Sequence, residues 1–244
     1  VTKRTKHKGL KLLSVICFFL HFLASAEELQ NSSFELKPFV SKYTAFRHGS
    51  DIGVASLSLT AGPQKSYQLE YKSEVSRFFF SDNRNEKTIY QLTDSNNLTP
   101  VTYEYKRTGT GPNKELTIEF DRLNKKATIG DNKKVNIVEH VDNQLFRIDI
   151  SRQLAEGHTE FSYDFINYRG EMRSYKILAQ MTEQLSLPFG TVNAIKVKVA
   201  RESNKRVTYA WFAPTLNYSL VRLQQFKENK EQGDIQLASF TLSN

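Results

Sequence analysis

The sequence predicts a mainly β protein, a strongly curved antiparallel sheet or partial barrel of about a dozen strands with one short helix. Three observations lead there. Apolar and polar residues alternate with period two through most of the chain. Short polar turns separate the alternating segments. Only the stretch from Val141 to Gly157 breaks the pattern, with apolar residues at helical spacing.

The chain opens on Lys3, Arg4, Lys6, Lys8 and Lys11 without an acid, and LLSVICFFLHFLASA follows as an apolar run closed by Ala24, Ser25 and Ala26. That is the charged start, apolar middle and small-residue cleavage site of a secretory leader, so residues 1–26 are expected to be removed after Ala26. The run from Leu12 to Ala24 is short against the roughly 20 residues a spanning helix needs, and no transmembrane span is expected after cleavage. Cys17 follows Ile16, where lipidation needs a small residue, and the apolar run continues behind it, so it reads as leader and not as a lipid anchor. With Cys17 gone there is no disulfide to staple the fold, and stability must come from a core. Residues 27–37 are polar and read as a loose lead-in. No linker, repeat or composition break follows, so 38–244 reads as a single β-rich domain.

Within that domain Ala55, Leu57 and Leu59 face opposite Val54, Ser56, Ser58 and Thr60. SYQLEYKSEVSRFFF alternates and then turns wholly apolar at Phe78, Phe79 and Phe80. Val101, Tyr103 and Tyr105 alternate with polar neighbours before a GTGPN turn. ELTIEF, KKATIG and KKVNIV are short strands around tight turns, and EFSYDFINYRG, EMRSYKILAQM, TVNAIKVKVARES, KRVTYAWF, NYSLVRLQQF and DIQLASFTL continue the pattern. Between the two series, Asp142 can cap a helix and Gly157 can end it. Phe146, Ile150 and Leu154 share a helical face, while Phe146, Ile148 and Ile150 also suit a strand.

The formal charge of +8 comes largely from the leader. Without those five cations, 29 of the 34 basic residues stand against 26 acidic ones, and no dense basic stripe remains for a nucleic acid. Known catalytic signatures are absent: there is no G-x-S-x-G elbow, no P-loop and no dinucleotide fingerprint, so no cofactor is expected. His48, His140 and His158 are scattered and lack metal-ligand spacing, so no metal site is expected. Glu115, Glu119 and Asp121 share one strand face and could serve a glycosidase, but opposite Leu116, Ile118 and Phe120 they read better as a solvated outer face.

The aromatic content of 12% is more informative. Rings on a concave sheet fill the core or line an apolar cavity, and Trp211, Tyr209, Tyr218, Arg222, Tyr103 and Tyr163 are the candidate lining residues. In YAWFAPTLNYSLVRLQQF, strict alternation puts Tyr218, Leu220 and Arg222 on one face and Ser219, Val221 and Leu223 on the other. If Arg222 points inward it needs a carboxylate, a polar rim or a ligand anion; if Val221 and Leu223 are the buried face, it is solvated.

PFVSKYTAFRHGSDIGVASLSL, LTPVTYEYKRTG, IEFDR, LPFGTVNAIKV and WFAPTLNYSLVRLQQ resemble, in order and spacing, the bacterial envelope domain-of-unknown-function 3108 family, over Pro38 to about Phe240. The resemblance implies export and a sheet-rich fold, and no established reaction. Taken together, the expectation is an exported periplasmic protein, with outer-membrane association left open. Its expected role is a non-catalytic binding or carrier module for an apolar or amphipathic ligand such as a lipid or an envelope glycan precursor. The alternatives are an envelope protein–protein interaction or assembly factor and, third, a wall or glycan hydrolase.

Overall fold

The structure, a computed structural model, describes residues 34–93, 97–201 and 205–243. The expected leader with Cys17, and the first part of the lead-in, lie outside the described residues. From Phe34 onward the lead-in is tied down. Phe34 and Leu36 pack on the core, and Asn217 accepts from the Glu35 N–H at 3.2 Å and donates to its carbonyl at 2.7 Å.

The chain enters a sheet in its middle. β1 (Phe39–Arg47) leads through β2 (Ser50–Ala61), β3 (Ser66–Arg77), β4 (Phe80–Leu92), β5 (Leu98–Gly109), β6 (Lys114–Asp121), β7 (Lys126–Ile129) and β8 (Lys133–Asn136) to one edge. It then crosses over through β9 (Val141–Asp142) and the helix α1 (Leu145–Ala155). From the opposite edge it returns as β10 (Glu160–Ile166), β11 (Met172–Leu187), β12 (Gly190–Ala200), β13 (Arg206–Ala213), β14 (Ser219–Lys227) and β15 (Lys230–Leu242), which pairs with β1. All 15 strands form one sheet, antiparallel throughout except for the short parallel pair of β9 with β10.

Neighbouring strands are joined by tight turns that match the twist of a hairpin. Two-residue links with both residues at positive φ join β1 to β2 (His48 51°, Gly49 74°) and β14 to β15 (Glu228 50°, Asn229 63°). Curvature then brings the far edges together. Ile166 of β10 is buried in one cluster with Tyr103, Ile118 and Ile129, and the Tyr105 and Tyr168 rings lie 5.1 Å apart. Gly170, at φ 70°, approaches so closely that a methyl group there would sit 2.6 Å from Ile129 Cγ2.

The expectation of a curved, mainly β sheet with one helix holds, with more strands than expected. Those added are β1, β4 and β9. β4 escapes an alternation test because its inward face runs through the polar residues Asp82, Arg84, Glu86 and Thr88 before it reaches Tyr90; Glu86 and Thr88 are nonetheless buried, as is Tyr90.

The helix is held in the concavity by that same polar face. Asp142 Oδ1 accepts from the backbone N–H of Gln144 (2.8 Å) and Leu145 (3.0 Å), capping the helix start, and from the Thr88 hydroxyl of β4 at 2.8 Å. Asn143 donates to Glu86 at 2.7 Å. At the other end Gly157, at φ 83°, and His158 donate to the carbonyls of Leu154 and Gln153. One flank of α1 packs Leu145 and Ile148 with Tyr43, Leu57 and Leu59. The other packs Phe146, Ile150 and Leu154 with Phe165, Ile177 and Phe212. Each such side chain stabilises the fold by about 1.5–3 kcal/mol. A helix buried on both flanks has no single apolar stripe, which is why Phe146, Ile148 and Ile150 also read as a strand in the sequence.

Candidate functional site

Most of the aromatic side chains proposed from the sequence turn out to be structural. Tyr103 is fully buried and donates to Glu86 Oε2 at 2.7 Å. Tyr163 packs on Phe146 and donates to Asp149 at 2.7 Å. Tyr218 is half-buried at φ 53°, next to the tight turn after Pro214–Leu216. The rings at Phe161, Tyr163 and Phe165 surround the helix. Phe78, Phe79 and Phe80 neither fill the core nor lie hidden: they are 88%, 95% and 71% exposed.

Trp211, Tyr209 and Arg222 do come together, on the sheet face opposite the helix-facing Ala210 and Phe212. A bulge between Trp211 and Phe212 decides the register, pairing Trp211 with Arg222 and Phe212 with Leu220. Strict alternation would have kept Leu220 and Arg222 on one face; the bulge separates them. The Arg222 guanidinium lies 5.0 Å over the Trp211 ring and grips Asp234 with two hydrogen bonds of 2.9 and 2.6 Å. Trp211 Nε1 donates to Glu183 at 2.9 Å, and Glu183 also pairs with Lys196 at 2.9 Å. Arg222 meets a carboxylate, as expected of an inward Arg, yet it does so on the face opposite the helix, where the alternative was plain solvation. Arg222→Ala should therefore destabilise the protein by about 2 kcal/mol, because Asp234 is buried and keeps only the Gln236 amide as a side-chain donor. Urea unfolding measures this, and a change below about 0.5 kcal/mol would show Asp234 to be solvated in practice.

None of the six lies on the wall of the large cavity. That cavity, of 460 Å³, opens at the sheet end where the β1–β2, β3–β4, β5–β6 and β14–β15 links turn. This is within the range of small-molecule sites, about 300–1,000 Å³. Its wall is two-natured. Ala45, Ile52, Ala55, Val75, Leu223 and Ile235 supply apolar surface, while Arg47, Arg77, Arg84, Arg107 and Arg147 stand with the acidic residues Asp82 and Glu86, and Asp234 also borders the wall.

Bonding divides these charges into satisfied and free. Arg84 holds Asp82 bidentately at 2.7 and 3.1 Å, and Arg107 Nε reaches the same carboxylate at 3.1 Å. Burial works to raise the Asp82 carboxyl, but the hydrogen bonds and charges of Arg84 and Arg107 outweigh it and hold it below its ordinary value. Arg107 is further fixed by the carbonyls of Pro112 and Thr110, both at 3.1 Å. Asp234 is taken by Arg222. Glu86 is occupied at Oε2 by Tyr103 and Asn143.

Arg147 is different. It stands in the first turn of α1 between two buried flanks, and its guanidinium lies 5.3 Å over the Tyr71 ring. No described residue accepts a hydrogen bond from its side chain. Arg147 is half-buried, whereas Arg47 Nε, at the same wall, is buried without a partner. The cavity thus presents unpaired guanidinium donors beside apolar surface, an arrangement suited to an anionic group on an apolar body.

The cavity's wall holds no nucleophile–base pair, and the described residues hold no cluster of His, Cys, Asp and Glu fit for a metal. Glu115, Glu119 and Asp121 are all exposed on the outer face of β6. Among the described residues no helix is long and apolar enough to cross a membrane. Arg147 and the β4 residues were missed in the sequence, although a lone cation inside LFRIDIS was a usable signal.

No curated protein matches the chain significantly. Among solved structures, a beta-barrel-like protein of the domain of unknown function DUF1849 from Brucella abortus shares the fold. Its TM-score is 0.64 at 7% identity, covering 87% of this chain and 100% of that one. A Bacteroides fragilis protein of YmcC-like fold (9% identity, 84% and 94% covered) and a Parabacteroides distasonis protein described as a lipoprotein (14%, 86% and 98%) superpose loosely, each at a TM-score of 0.30. At the level of sequence families, the model described as "Protein of unknown function (DUF3108)" matches residues 40–230, from the first strand to the start of the last, and the chain belongs to that family.

Proposed function

We propose that the protein is a non-catalytic binding or carrier module of the bacterial envelope, whose cavity holds an amphipathic ligand with an anionic head. Export is supported by the leader-like residues 1–26. The observation that carries the ligand class is the unpaired Arg147 guanidinium on a buried helix, facing a 460 Å³ cavity with apolar walls. Arg147 is half-buried and no described residue accepts from its guanidinium, so its donors are open to a ligand, and a carboxylate or phosphate would take them. The apolar wall then takes the hydrocarbon part of the same molecule.

A wall or glycan hydrolase loses its support, because Glu115, Glu119 and Asp121 all face solvent. Pairing of a partner strand onto the β8 edge is also disfavoured: β8 is four residues long and carries Lys133 and Lys134, the charged, short edge that resists strand addition.

Native mass spectrometry of the protein purified from the cell envelope, followed by solvent extraction, tests the reading. The expected result is an adduct of several hundred daltons that extracts into organic solvent and carries a phosphate or carboxylate. Fragmentation distinguishes a fatty acid, a phospholipid and a lipid-linked glycan precursor. A protein that stays bare, and that does not bind the fluorescent fatty acid cis-parinarate, would overturn it.

A further inference from the structure

The β3–β4 link is the most apolar exposed feature among the described residues. Phe78, Phe79 and Phe80 follow one another at 88%, 95% and 71% exposure, and Phe78 stands at φ 55° in the left-handed region that bulky residues avoid. The equivalent first positions of the neighbouring links, His48 and Glu228, take the same left-handed φ with polar side chains, as a solvent-exposed turn favours. The aromatic identity therefore serves something outside the fold.

Its surroundings indicate what. Strand register places the tip on the rim at which the cavity opens, and Phe80 itself forms part of the cavity wall. The same rim carries Arg77, whose guanidinium lies 5.7 Å over the Phe78 ring, together with exposed Lys114, Arg206, Lys227 and Lys230 at the ends of the adjacent strands. Carboxylates stand on that rim too, and several are engaged within the protein: Glu115 by Lys106 at 2.8 Å, Asp82 by Arg84 and Arg107, Asp51 by the Gly53 N–H, and Glu231 by the His48 N–H and Gln224, with Glu228 exposed.

We infer that Phe78, Phe79 and Phe80 insert into the interface of an anionic lipid bilayer, with the basic rim against its head groups and the cavity mouth turned toward it. Aromatic side chains and flanking cations are the pair that settles at a membrane interface. A protein partner fits less well. A stable interface covers roughly 800 Å² per partner, whereas three rings of roughly 150–250 Å² each at one two-residue tip offer less. A fluid apolar medium needs no matching surface. The inference does not require the cavity to be filled, so it can fail or succeed independently of the ligand reading.

Flotation with vesicles of phosphatidylethanolamine and phosphatidylglycerol (3:1) tests it. The wild-type protein should float with these vesicles and much less with phosphatidylcholine alone or in high salt. The triple variant Phe78→Ser, Phe79→Ser, Phe80→Ser should lose at least tenfold in partitioning while its unfolding midpoint stays unchanged. Phe79→Trp supplies a second readout: its emission should shift blue and be quenched by brominated lipid, over a constant background from the buried Trp211. If the wild type does not float, or the triple variant floats equally well, the inference is wrong. Cross-linking from position 79 that captured one envelope protein, without flotation, would overturn it in favour of a protein partner.

Discussion

Arg147→Met should weaken binding of cis-parinarate by about 10- to 100-fold while leaving the fold as stable as before or slightly more so. The factor follows from losing one hydrogen bond to a charged group, contributing about 1.5–3 kcal/mol, on a side chain whose guanidinium faces the cavity with no acceptor among the described residues. The stability side follows from the same observation. Removing a partly buried, unpaired cation and keeping an unbranched apolar stem preserves contact with Tyr71 and relieves desolvation. Loss of binding together with loss of stability would mean that Arg147 holds the helix in place and does not face a ligand. Fluorescence titration and urea unfolding of the same sample separate the two outcomes.

Asp142→Asn should stabilise the protein above about pH 6 and give no gain near pH 4. Asp142 is fully buried, and burial pushes its carboxyl up to about 6, against the lowering effect of hydrogen bonds from Gln144, Thr88 and Leu145. A group whose native pKa is raised holds its proton more tightly when folded than when unfolded. Its favourable contribution is complete below the unfolded value of 3.8 and is lost as the pH rises through about 6. Above that range the buried charge costs about 3 kcal/mol. Asn retains an acceptor oxygen for the Gln144 and Leu145 N–H groups and for Thr88, and carries no charge. Urea midpoints at pH 8 and pH 4.5 measure the difference. A variant less stable than wild type at pH 8 would show that the charged cap outweighs its burial.

What the sequence made legible was the part of the fold that obeys a single periodicity. Strands such as Val54–Thr60 and Val101–Lys106 alternate because one face meets the core and the other meets water, and they were readable for that reason. β4 was not. Its inward residues Asp82, Arg84, Glu86 and Thr88 bind the helix start and line the cavity, so the strand that matters most for a site lacks the apolar face by which strands are recognised. Tyr103 and Tyr163 drew attention as large rings, but rings are the default core filler of a curved sheet. At Trp211 and Arg222 the failure was of register: one bulge residue reverses the faces beyond it, and no local property of the SLVR stretch, Ser219 to Arg222, announces a bulge. Phe78 to Phe80 are read as core by hydrophobicity alone, and only their position at a two-residue turn places them in solvent.

The proposed ligand site is tested most directly by photo-cross-linking with a diazirine-bearing fatty acid, followed by peptide mapping. Adducts should fall on β3, β4 and the first turn of α1, around Tyr71, Glu86 and Arg147, and excess oleate should suppress them. Labelling confined to the outer cluster of Tyr209 and Trp211, or scattered over the surface and insensitive to oleate, would contradict a ligand site in the cavity.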